Sequence, residues 1–229
     1  QEIKLKNMQV INWPNDREPK PPLRVINLGD TAKLGYLEKA SSSILDLHLS
    51  SDLRTVIKDD NMIISDSWDI AVYLEKSYES PTSLFGASND FNQVKFISSW
   101  VDSQLHPLIA RCVVRDILNV ISPSEHEYFR TSREKRFGKS LEEVVADREN
   151  TRTTLKQALY PIRKALEIGP FLGGDNPNFS DYAIFGAFMW ARVTSSFQLL
   201  ELSDPIYNWR ERMLLLYDGL AKNAPAVDI

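Results

Sequence analysis

The spacing of apolar and polar positions changes near residue 80. Before it, short apolar runs at Met8–Asn12, Leu23–Leu28, Arg54–Ile57 and Met62–Ile64 predict strands. Thr55–Lys58 and Met62–Ile64 flank Asp59-Asp60-Asn61 and predict a hairpin. Ala32–Leu47 reads as a helix weakened by Ser41-Ser42-Ser43. Trp68–Tyr78 places Ile70, Ala71, Tyr73, Leu74 and Tyr78 on or near one face and predicts an amphipathic helix. Glu79–Asn89 contains Pro, Ser and Gly and predicts a linker.

After residue 90 the period becomes helical. Phe91–Val120 predicts a long helix with a kink at Pro107. Ser122-Pro123-Ser124-Glu125 has the capping-box pattern with proline at the first helical position. Ser140 and Glu143 form a second such pattern, and the helix they start is expected to run through Arg152 to Leu166. Gly169, Gly173, Gly174 and Pro177 mark a loop over Glu167–Asn178. Asn178 then caps an apolar helix, with Asp181 bonding back from the third position. A last amphipathic helix spans Pro205–Lys222. The expected organisation is an α/β unit over residues 1–79, a linker over 80–90 and an all-helical domain over 91–229.

Composition narrows the function classes. The chain has 229 residues, 43% hydrophobic and 25% charged, which predicts a soluble globular protein with ample core. A net charge of −4 argues against a broad nucleic-acid footprint. The lone Cys112 excludes an internal disulfide or a CxxC pair. His48, His106 and His126 show no ligand spacing, so no metal site is expected. The longest apolar run, Ala183–Ala191, is about half a membrane span. Gln1–Trp13 is polar and mixed, with no signal-peptide pattern, and a reduced cytoplasmic setting is expected.

The sharpest chemical feature is the polar elbow Ser65-Asp66-Ser67 between a strand and a helix. Free N–H groups and the positive dipole end of a helix start can hold a carboxylate. Ser67 can donate a hydroxyl to that carboxylate, and Asp66 can accept from an ammonium. The site suits a small ligand carrying both groups. The plainer reading is N-capping by Ser65 or Asp66, with Asp69 in the first turn; the two readings are compatible.

The stretches SDSWDIAVYLEKSY and SLFG resemble the last strand, third helix and linker of the glutathione transferase superfamily. EYFRTSREKRFGKSLEEV, FLGGDNPNFSDYAIFGAFMWARV and DPIYNWRERMLLLYDGLA resemble its fungal and bacterial etherase-like branch, and the likeness covers roughly Thr55–Ala221. The resemblance implies a thioredoxin-like N-terminal domain, an all-helical C-terminal domain and a homodimer. It implies glutathione as co-substrate, and conjugation to, or ether cleavage in, hydrophobic aromatic compounds. It assigns the γ-glutamyl end of glutathione to Asp66 and Ser67 and its cysteine to the backbone around Thr55 and Val56.

The front of the chain departs from that pattern. The family opens its first helix with a Ser, Cys or Tyr that activates the sulfur. Here no Ser precedes Ser41, no Tyr precedes Tyr36, and the only cysteine is Cys112. The family's cis-proline position reads Leu53-Arg54-Thr55-Val56, where a cis bond would cost ~2.5–4 kcal/mol. Arg17 as a charge on the thiolate and Asn15 as a hydrogen-bond donor are the substitutes, with Arg24 nearby; all three also read as surface loop residues. An acceptor pocket between the domains is expected to draw on His106, Arg111, Phe188, Trp190, Arg192 and Phe197. Core packing is the competing role for Phe188 and Trp190, a plain structural role for His106, and burial as a small hydrophobe for Cys112. A non-catalytic protein of the same fold that binds hydrophobic or phenolic ligands is the alternative function.

Overall fold

The computed structural model describes residues 8–12, 26–27, 55–59, 62–78, 83–86 and 90–227. The expected helix over Ala32–Leu47 lies outside them, as do Asn15, Arg17 and Arg24.

Four strands form one sheet: β1 (Met8–Asn12), β2 (Ile26–Asn27), β3 (Thr55–Asp59) and β4 (Met62–Ser65). Their order is β2-β1-β3-β4, and each pairing is antiparallel. Asp59 pairs with Met62, which makes β3 and β4 a tight hairpin. The same register sets Val56 opposite Ser65 and, on the other side, opposite Ile11. The strand expected over Leu23–Leu28 is described only at Ile26–Asn27.

Helix α1 (Ser67–Ser77) follows β4 after one residue, Asp66. Its two faces divide the work. Ile70 is fully buried with Ile64, Tyr73, Leu74 and Tyr78 around it. Ala71 faces the other way, into a cluster with Phe85 and Val94. Phe85 stacks on Phe91 at 4.3 Å, meets Trp68 edge-on at 5.4 Å and lies 6.0 Å from Phe179. Such ring pairs add to plain area burial. Leu84 is tied on both sides of its Cα: its N–H donates to the Glu75 carboxylate at 2.9 Å, and its carbonyl accepts from Phe179 N–H at 2.7 Å.

The helical part begins with α2 (Phe91–Trp100), capped by Asp90. A π-helical turn, Val101–Leu105, leads into α3 (His106–Val113). The His106 N–H reaches Val101 O, a five-residue step that accommodates Pro107 at the start of α3. Short 3-10 turns cover Asp116–Asn119 and Pro123–Glu125. Then come α4 (His126–Phe137), α5 (Leu141–Val145), α6 (Arg148–Ala158), α7 (Tyr160–Ala165), α8 (Phe179–Thr194) and α9 (Pro205–Gly219).

Three sequence expectations are corrected. Ser122 makes no capping bond; its hydroxyl pairs with that of Ser124 at 2.8 Å over a single 3-10 turn. The helix begun at Ser140 does not run to Leu166. It restarts at Asp147, which leaves helical angles, and again at Tyr160, where Pro161 has no N–H for the preceding turn. The last helix ends at Gly219, after non-helical angles at Leu216, Tyr217 and Asp218.

The capping boxes at Ser140/Glu143 and Asn178/Asp181 are both formed. Helix α8 is the axis of the core, buried along most of its length, with Trp190 and Phe185 packed inside and Trp209 of α9 against Phe185 and Phe188. Gly173 lets the preceding loop fold back onto the start of α8, since a side chain there would run into the backbone of Asn176 and Asn178.

Candidate functional site

The elbow is built by the hairpin and the start of α1. Asp66 sits between β4 and α1 at φ 83°, ψ 131°, outside the regions open to ordinary side chains. Its carboxylate caps α1 by accepting from Trp68 N–H at 2.9 Å. The residue is exposed, and Ser67 beside it is half-buried. Among the described residues no acceptor is set against the N–H groups of Ser67 and Asp69, which lie in the first turn. Asp66 and Ser67 follow directly on Ser65, the β4 residue paired with Val56, and Thr55 precedes Val56 at the same end of β3.

The corner has a firm floor. Trp68 packs edge-on against Phe85 and Phe179 (centroids 5.4 and 5.8 Å), and Lys95 lies 4.5 Å over its ring. The elbow is thereby pressed against the first turn of α8.

The six residues expected to line one acceptor pocket do not come together. Phe188, Arg192 and Phe197 line a cavity of about 150 Å³, whose other walls include Leu200, Tyr207 and Arg210. It lies inside the helical domain, at the C-terminal end of α8. Trp190 is buried core at 1% exposure. His106 is buried at the start of α3, with Nδ1 3.4 Å from Asp102. Arg111 points to solvent. The reason is helical geometry: Trp190 lies two residues from Phe188 and Arg192, so it faces another side of α8. Tyr207 and Arg210, one turn apart on α9, were not singled out from the sequence; their spacing is the signal that one face of that helix carries them.

Cys112 is fully buried with its thiol near the Arg148 carbonyl, and burial pushes the thiol pKa up to about 12. It offers no thiolate at neutral pH. Among the described residues no group of His, Cys, Asp and Glu is arranged to hold a metal ion, and no helix is long and apolar enough to cross a membrane.

Comparison with known proteins bears on the same elements. A family model described as glutathione S-transferase, C-terminal domain, matches residues 93–203, from α2 to the approach to α9. Among solved structures, glutathione transferase GSTFuA3 from Phanerochaete chrysosporium is 29% identical, with a TM-score of 0.53 over 76% of this chain and 71% of that one. Its relative GSTFuA2 from the same fungus is 26% identical, with a TM-score of 0.55 over the same shares. Residues 93–203 thus match the glutathione S-transferase C-terminal domain, and the chain shares the glutathione transferase fold.

A third structure extends the likeness of fold. The glutathione S-transferase CsGST63524 of Ceriporiopsis subvermispora, solved in complex with glutathione, is 22% identical, with a TM-score of 0.51 over 73% of this chain and 67% of that one. As a glutathione transferase-like protein, this chain carries the superfamily's helical C-terminal domain, with Asn178 and Asp181 opening its central helix. Leu84 and Phe85 hold the elbow helix against that domain.

Proposed function

We propose that this protein binds glutathione at the elbow and transfers its sulfur to a hydrophobic aromatic electrophile. The observation that carries the reading is Asp66, held at φ 83° in the cap of α1 with its carboxylate exposed. Backbone in such a region costs on the order of 1–3 kcal/mol and persists where the surroundings demand it. One carboxylate oxygen caps the helix, leaving the other for the γ-glutamyl ammonium. The Ser67 hydroxyl and the N–H groups of Ser67 and Asp69 take the γ-glutamyl carboxylate. The backbone at Thr55 and Val56 runs beside them as the place for the tripeptide's cysteine.

In the reaction the glutathione thiol loses its proton and the thiolate attacks an electrophilic carbon. A halide or aryloxide leaves with the bonding pair, so conjugation and aryl-ether cleavage are one chemistry with two leaving groups. Arg17 and Asn15 are proposed to favour the thiolate, by charge and by a hydrogen bond. The working form is proposed to be a cytoplasmic homodimer.

A second reading, a ligand-binding protein without turnover, draws on Cys112. With no early Ser, Tyr or Cys in the chain, a displaced catalytic thiol is the obvious substitute, and burial of Cys112 argues against it.

Calorimetric titration with glutathione tests the proposal on the wild type, Asp66→Ala and Ser67→Ala. Tenfold or greater weakening in both variants is expected. A wild type that does not bind overturns the transferase reading, and equal binding by all three overturns the elbow. Turnover of an aryl halide separates the two functions, and a rate unchanged by Arg17→Ala removes that residue from the mechanism.

A further inference from the structure

We infer that the cavity at the C-terminal end of α8 is a second ligand site, shaped and charged for a small aryl carboxylate and separate from the glutathione elbow. The inference stands whether or not glutathione is turned over.

Separation follows from helix length. The elbow packs against Phe179, the first residue of α8, and the cavity is lined by Arg192 of the last turn. Thirteen residues of helix put about 20 Å between them.

The walls suit one aromatic ring. Phe188, Phe197, Leu200 and Tyr207 supply apolar surface around about 150 Å³. An apolar cavity of about that size takes up benzene. Phe197 is held from outside by the guanidinium groups of Arg148 and Arg152, whose carbons lie 4.4 and 5.5 Å from its ring centre. Those two cations are already matched, Arg148 by Asp116 at 3.3 Å and Arg152 by Glu149 at 2.7 Å.

The charge inside the cavity is not matched in the same way. Arg192 and Arg210 both line it. Arg192 donates to the carbonyls of Ala221, Ala224 and Lys222, which carry no formal charge. Arg210 has one carboxylate partner, Glu211, at 3.0 Å, and its guanidinium lies 4.5 Å over the Tyr207 ring. The Arg210 Nε–H is buried with no acceptor among the described residues. A buried donor without an acceptor is costly. Burial, and then the nearby Arg210, pull the Arg192 pKa below its usual range. Two guanidinium groups thus line an aromatic cavity, with one carboxylate, Glu211, bonded to Arg210. A ligand carboxylate would accept from the Arg210 Nε–H and offset the second charge while its ring fills the cavity.

The test uses phenylacetate and its neutral counterpart phenylacetamide, with binding followed by calorimetry and by ligand-observed NMR on the full chain. Wild type should bind phenylacetate at least tenfold more tightly than phenylacetamide. Arg210→Met should lower phenylacetate affinity at least tenfold and leave phenylacetamide unchanged, with thermal melting confirming a folded variant. If that variant does not fold, Arg210→Lys serves; it keeps the charge, loses the Nε donor, and should retain only part of the preference. Saturating glutathione should leave phenylacetate affinity unchanged. Equal affinity for the two probes, no binding of phenylacetate, wild-type affinity in the folded variant or competition by glutathione would each overturn the inference.

Discussion

The Trp209 indole N–H donates to the Asp181 carboxylate at 2.8 Å, and neither residue has any exposed surface. The same carboxylate accepts from the N–H groups of Leu172, Gly173 and Asn178. Burial pushes its pKa up, and these donors pull against that push. Four donors converge on two oxygens, an arrangement that suits an anion. Asp181→Ala should cost about 3–5 kcal/mol in urea unfolding, because the loop donors and the indole lose their acceptor in the core. Trp209→Phe should cost about 1.5–3 kcal/mol through the lost hydrogen bond. A loss below 1 kcal/mol for Asp181→Ala would show that water replaces the carboxylate.

Arg163 grips Asp204 with Nε at 3.1 and 3.2 Å and Nη2 at 2.7 Å. Burial raises the Asp204 pKa, but the bonds from Arg163 and from Ile206 N–H outweigh it, and the net direction is down. A carboxylate whose folded pKa is depressed contributes fully above its unfolded value, about pH 4, and the contribution is lost as pH falls through the folded value. Asp204→Asn keeps the cap of α9 and loses the ion pair. It should be less stable than wild type by about 1.5–3 kcal/mol at pH 7. The gap should close as unfolding is repeated toward about pH 2. A gap that persists unchanged in acid would mean that packing, not charge, holds this contact.

Asp66 serves two ends, a cap and an exposed carboxylate, and Gly separates them. At φ 83° glycine escapes the strain of a side chain. Glycine as a cap costs only a few tenths of a kcal/mol, whereas alanine costs about 1 kcal/mol and keeps the strain. Asp66→Gly should therefore melt above Asp66→Ala, while both weaken glutathione binding alike. The reverse order of melting would remove strain as the reason for the unusual backbone.

With its pKa at about 12 and its side chain buried, the Cys112 thiol should resist iodoacetamide at pH 8 in the native state and react within minutes once unfolded in urea. Native labelling should rise only as pH approaches the alkaline value, since the raised pKa keeps the thiol protonated below it. Rapid native labelling at pH 8 would place the sulfur at the surface.

Much of this was legible where a local rule acts alone. The Asn178 and Asp181 positions announce a capping box because both side chains answer backbone within the same turn. The spans of β1 and the Asp59–Met62 turn follow from apolar runs and their polar bracket. Ser122 and Glu125 carry the same capping letters, yet Ser122 opens only the three-residue 3-10 turn Pro123–Glu125 ahead of α4, and no capping bond forms. Pro161 was written in the sequence, but the long amphipathic stretch around it masked the break. Phe188, Arg192 and Phe197 were expected in a pocket between the domains, whereas the cavity they line lies within the helical domain and is completed by a helix distant in sequence. No local period marks residues that meet only through tertiary packing.

Leu84 is bonded through its N–H to the elbow helix and through its carbonyl to the first amide of α8. A tilt of α1 would be passed through Leu84, across the two peptide planes that meet at its Cα, to the amide proton of Phe179. The hydrogen-exchange rate at that proton should then change when the elbow is occupied, readable in deuterium oxide with no dye or label.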